Sequence, residues 1–173
     1  MKINRADFLQ KSLISAAGLL LPASLIAQTK QEKPPPLKIE IIKEYVTVAH
    51  GQIDRLKEML ENDKQLLHVS YDWGGGDYES AIEAAGHVGD KDIAAYLLGK
   101  GARYNIYLAC MLGHLDIVKQ VLTMNPQLIN SKGPHGFTML HHASKGGEES
   151  KTVVDYLVSS GAKETKIDFY AKA

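Results

Sequence analysis

The feature that most constrains this chain is a recurring unit: a glycine turn followed by an amphipathic helix. Its fullest copy is residues 136–162, Gly-Phe-Thr-Met-Leu-His-His-Ala-Ser-Lys-Gly-Gly through Val-Val-Asp-Tyr-Leu-Val-Ser-Ser-Gly-Ala. Thr138 is placed to cap a helix, its hydroxyl accepting from a free N–H of the first turn. Leu140 and Ala143 then share a buried face, and small Ala143 lets a neighbouring helix approach. Gly146 and Gly147 end this helix, since glycine takes the left-handed conformation without a Cβ penalty. A second helix follows with Val153, Val154, Leu157 and Val158 as its apolar stripe, and Gly161 closes it. Neither helix can bury its face alone, so neighbours must stack on it.

The inter-helix glycine recurs at Gly51, Gly89, Gly113 and Gly147. After the first three, the following helix reads alike, with Asp54, Asp92 and Asp116 in one slot near its start, where the helix dipole favours negative charge. Leu60, Leu98, Leu122 and Val158 are expected to share the last buried slot. The fold class is therefore all-α, a solenoid of about four helix–turn–helix repeats over residues 37–173.

The Thr138-x-Leu140-His141-x-Ala143 run and the closing Gly161-Ala162 resemble the ankyrin repeat. The glycine spacings are 38, 24 and 34 residues, against a family period of about 33. The helical stripes keep register, so these differences belong to loops. Five added residues fall in the stretch 71–80, Tyr-Asp-Trp-Gly-Gly-Gly-Asp-Tyr-Glu-Ser. Nine missing residues remove the hairpin between the second and third repeats. There Asn105 is placed to cap the next helix, and Tyr107 is expected to be uncovered.

Residues 1–27 read as a cleaved export signal: Lys2 and Arg5 first, an apolar core over 13–21 broken by Pro22, then Leu25-Ile26-Ala27 as a small-residue cleavage site. Residues 4–11 resemble a twin-arginine signal with Ala6 in place of the second arginine. The apolar run 13–27 has 15 residues, short of the ~20 a membrane span requires. A periplasmic or secreted protein without stable membrane insertion is expected, and a monomer. Residues 28–36 form a polar linker ending in three prolines, which favour an extended backbone. The chain is formally neutral, with 20 basic and 20 acidic groups and no basic run, which excludes ordinary nucleic-acid binding. Cys110, the single cysteine, has no internal disulfide partner and sits where the repeat places a small buried residue.

The resemblance implies non-catalytic binding through loops and first helices, which line a concave surface. Loop 71–80 admits two readings. Trp73 and Tyr78 serve as aromatic anchors beside Asp77, for a protein, peptide or sugar ring. Alternatively Trp73 folds back on the first repeat and the aspartates satisfy turn amides. The pattern Asp72-Trp73-Gly-x-Gly-Asp-Tyr-Glu, with Gly133-Pro134-His135-Gly136 and Leu140-His-His-Ala, is similar to a bacterial subgroup of exported ankyrin-repeat proteins. That implies fold and compartment and leaves the partner open.

Seven histidines are the remaining chemical hint. His50, His114 and His141 occupy ordinary turn or repeat slots. His87, His135 and His142 can face the concave side with Asp77 or Glu83, but no His-Glu-x-x-His or Cys-x-x-Cys spacing supports a metal centre. No metal or cofactor is expected. Ser80 and Thr138 fit helix caps, and Glu79 and Glu83 read as four apart on one helical face, a poor indicator of catalysis. The expected function is recognition of an unidentified protein or peptide, alternatively of a small molecule or sugar. The binding residues are Trp73, Asp77, Tyr78, His87, Tyr107, His135 and His142.

Overall fold

The computed structural model describes residues 33–170. The expected leader, 1–27, lies outside the described residues. Residues 33–36 are exposed and without regular structure, and the compact unit is Leu37–Ala173. No described helix is long and apolar enough to cross a membrane.

Eight α-helices among the described residues form four packed pairs. They are α1 (Ile39–Val48) with α2 (Ile53–Asn62), and α3 (Ala81–Val88) with α4 (Lys91–Gly99). The others are α5 (Ile106–Met111) with α6 (Leu115–Met124), and α7 (Met139–Lys145) with α8 (Lys151–Ser159). Gly51, Gly89, Gly113 and Gly147 all have positive φ, as the turn between paired helices requires. Asn105 Oδ1 accepts from Leu108 N at 2.9 Å, and Ser80 and Glu83 form a capping box at the start of α3. Thr138 Oγ1 accepts from His141 N and donates to Glu164 O at 2.6 Å, so the cap also anchors the C-terminal segment. Asp54, Asp92 and Asp116 lie in first turns.

Two apolar clusters form the core. One gathers Tyr45, Leu56, Ile93, Leu97, Leu108 and Met111; the other gathers Ala109, Cys110, Val118, Leu122, Met139, Ala143, Val153 and Leu157. Burial pushes the Cys110 thiol up to about 12, consistent with an inert core residue. The expected last slot holds for Leu60 and Leu122, but Leu98 is only half-buried and Val158 is 55 % exposed, and Leu97 and Leu157 point inward instead. A short 3₁₀ turn, Gly147–Ser150, precedes this last helix.

The inner helices depart from a linear stack. In a solenoid each repeat touches only its neighbours. Here α3 packs on α5, α5 on α7, and α3 also reaches α7. Helix α5 has six residues, under two turns, so its neighbours meet past it. Small residues permit this closeness: a Cβ on Gly146 would stand 1.9 Å from Met111 O, and one on Gly89 2.6 Å from Lys145 O.

The added residues before α3 form an antiparallel hairpin, β1 (Ser70–Asp72) and β2 (Tyr78–Ser80), with Asp72 opposite Tyr78. Gly74, Gly75 and Gly76 all have positive φ in its tip, and Asp72 Oδ1 accepts from Gly74 N and Gly76 N. The C-terminal segment runs from the start of the last repeat toward the inserted hairpin. It pairs Lys166 with Phe137, Ile167 N donates to Gly136 O, and the Tyr170 hydroxyl donates to Gly74 O at 3.1 Å. It therefore spans from the last repeat to the inserted hairpin along the inner rim.

Candidate functional site

The hairpin decides which side chains face inward. Alternation along β2 sends Tyr78 outward, 61 % exposed, while Asp77 and Glu79 turn in and are buried. Glu79 is thus a strand residue, whereas Glu83 lies on α3 bonded to Ser80; the two do not share a helical face.

Three histidines surround Glu79. Oε1 lies 3.0 Å from His87 Nε2 and 3.6 Å from His50 Nε2; Oε2 lies 3.3 Å from His135 Nε2 and accepts from the Trp73 indole N–H at 2.8 Å. His87 Nε2 and His50 Nε2 are 2.9 Å apart. Although His87 is close, no donor is aligned on Oε1. Burial by itself raises the Glu79 carboxyl, but the His87 contact and the positive fields of His87, His50 and His135 together bring it below the ordinary value.

Outer partners orient two of the rings. His50 Nδ1 lies 3.1 Å from Val46 O and from Thr47 O. His135 Nδ1 lies 2.8 Å from Asp77 Oδ2, and Asp77 Oδ1 accepts His135 N at 2.8 Å. Carbonyl and carboxylate oxygens only accept, so both Nδ1 atoms carry protons and both Nε2 atoms face Glu79. His135 sits at φ 57 between Pro134 and Gly136, a conformation uncommon for a residue with a side chain. The clamp on Asp77 holds it there.

Of the residues singled out in the sequence, Trp73, Asp77, His87 and His135 come together. Trp73 takes the folded-back arrangement, half-buried, edge-on to Tyr71 at 4.9 Å between ring centroids. Tyr78 stands apart on the outer side of the hairpin. Tyr107 is not uncovered: it is half-buried, bonded to Ser131 Oγ at 3.0 Å and packed on His142. The chain before α7 takes the place of the missing hairpin. His142 is fully buried, its Nδ1 donating to Thr138 O at 2.8 Å, and is out of a partner's reach. Burial pushes it down to about 4, hence a neutral core ring. His141 stacks on Phe137 and its Nε2 donates to His87 O at 2.9 Å.

His50 and Glu79 escaped the sequence reading. His50 looked like a turn residue, and it is one; its other ring nitrogen does the second job. Glu79 carried a usable signal, because alternation from Asp77 puts both carboxylates on one strand face.

The architecture defines an α-solenoid repeat protein with an elaborated polar inner rim. A family profile for ankyrin repeats (3 copies) matches residues 81–168, just over half of the chain, and the chain belongs to the ankyrin-repeat family. Helices α1 and α2 lie outside the matched span and add a fourth pair. Ankyrin repeats are generally protein–protein interaction modules and typically non-catalytic. No curated protein matches the chain in sequence.

Proposed function

We propose that the protein is an exported, non-catalytic recognition module that takes a protein or peptide segment at the inner rim. The observation that carries this reading is the surface around Trp73. Two hollows flank it, of about 460 and 400 Å³. Trp73, Asp77, His135, Lys166, Asp168 and Tyr170 help line the larger; Thr47, His50 and Gln52 help line the other. Exposed Tyr170, 63 % accessible, stands on the wall of the larger hollow. Aromatic side chains among charged neighbours, set beside pockets of side-chain size, are the usual anchors of a protein interface. Residues 1–27 support export, so the partner is to be sought outside the cytoplasm.

A photo-crosslinking residue at position 170, on the wall of the larger hollow, tests this, with position 124 on the outer end of α6 as the control, where Met124 is 78 % exposed. The expected result is a discrete protein adduct from 170 in the exported fraction and none from 124. Equal labelling from both positions, or none from 170, overturns the reading.

A further inference from the structure

We propose that His50, Glu79, His87 and His135 form a zinc site that fastens the inserted hairpin and the turn before α7 to the inner helices. The four residues come from separate segments: the end of α1, strand β2, helix α3 and the Pro134–Gly136 turn. One ligand atom from each lies within 4.8 Å of all the others. Zinc with bonds of about 2.0–2.1 Å holds tetrahedral ligands about 3.3 Å apart. The spacings among Glu79 Oε1, His87 Nε2 and His50 Nε2, 2.9, 3.0 and 3.6 Å, bracket that value, and His135 Nε2 stands 3.3 Å from the other carboxylate oxygen.

The protons make the case sharper. With Nδ1 of His50 and of His135 committed to outer acceptors, each ring turns its Nε2 inward, the nitrogen whose lone pair a metal would take. Glu79 Oε1 is another acceptor, fully buried and without an aligned donor. His87 Nε2 supplies at most one proton to these three. With the rings in this form the centre is rich in inward-facing lone pairs, which a cation would satisfy. Three imidazoles and one carboxylate are a donor set for zinc, whereas calcium and magnesium take oxygen ligands. Asp77 stands behind His135 as a positioning residue, and backbone carbonyls stand behind His50, the arrangement that fixes the ring orientation of metal-bound histidines. The competing account is an added proton, making one imidazole an imidazolium. The inference does not depend on the protein-recognition reading, although the ion would rigidify that surface.

The test uses the full chain, stripped with chelator and titrated with Zn²⁺ alone by calorimetry, and with Co²⁺ by absorption. One equivalent of Zn²⁺ is expected, with the intense visible bands of tetrahedral Co²⁺. His50→Ala and His135→Ala, whose side chains are 29 % and 25 % exposed and whose loss the fold tolerates best, are each expected to weaken binding at least about 100-fold. Asp77→Asn, read in the same way, should cost about 10–100-fold. His114→Ala, on another repeat, should leave affinity unchanged. Absence of stoichiometric binding in the folded wild type overturns the proposal in favour of the shared proton. So does an octahedral Co²⁺ spectrum, or affinity that survives both histidine variants.

Discussion

Between α5 and α7, Ala109, Cys110, Met139 and Ala143 are fully buried against apolar neighbours; at the inner rim Glu79 is as fully buried, but among three imidazoles and an indole N–H. The first region is what a helical repeat must build to bury its stripes. The second runs against the cost of burying charge, which is seldom recovered as stability. The comparison teaches where to look for function: the apolar region explains why the chain folds, and the polar one calls for a ligand or partner. The polar region is also assembled from the irregular parts, the inserted hairpin and the turn before α7.

Substitutions can break or sharpen this contrast. The largest effect is expected at Gly146, where an added Cβ meets the Met111 carbonyl at 1.9 Å. Gly146→Ala should cost about 4–5 kcal/mol in urea unfolding, because backbone must move. A loss under about 1 kcal/mol would show that α5 and α7 are not in such close contact. Leu140→Ala, in the apolar region, should cost about 2–5 kcal/mol. A loss below about 1 kcal/mol would mean the register of α7 is wrong.

The next effect is pH dependence. His142 titrates at about 4 in the folded chain against 6.5 when exposed, a depressed value. The unfolded chain therefore takes up the proton first. The stability is complete above pH 6.5 and is lost as pH falls toward 4, by about 3 kcal/mol. His141, His87 and Glu79 also act on this ring, so the difference between wild type and His142→Phe isolates its part. Equal slopes for the two would place His142 in a solvated setting.

Gly147→Ala separates conformation from space. Nothing lies within 4 Å of its added Cβ, but φ is +68, so a loss of only about 1 kcal/mol is expected. A loss as large as at Gly146 would show an unseen clash. The smallest effect is expected at Tyr78→Ala on the outer hairpin face, within about 0.5 kcal/mol by urea unfolding. A larger loss would make Tyr78 a structural residue of the hairpin.

Much of the repeat fold was legible because it is local. Capping residues Asn105 and Thr138, the four turn glycines and the first-turn aspartates each act within a few positions of themselves. The register failed at Leu98 and Val158, where the preceding leucine takes the buried place in each helix. The site was half legible: Trp73, Asp77, His87 and His135 were singled out together, but His142 was taken for a rim residue and Tyr107 for an uncovered one. The first error traces to the contact of α3 with α7 and the second to the chain before α7, which covers Tyr107; no spacing argument contains either.

By itself the sequence determined the helical repeat, its turns and the position of its irregular loops, since periodicity and glycine conformation are properties of neighbouring residues. Tertiary structure alone decided that His50, Glu79, His87 and His135, up to 85 positions apart, converge on one centre. The convergence depends on how a short α5 lets its neighbours close and on which face of a two-stranded hairpin turns inward, and both are settled by packing between segments.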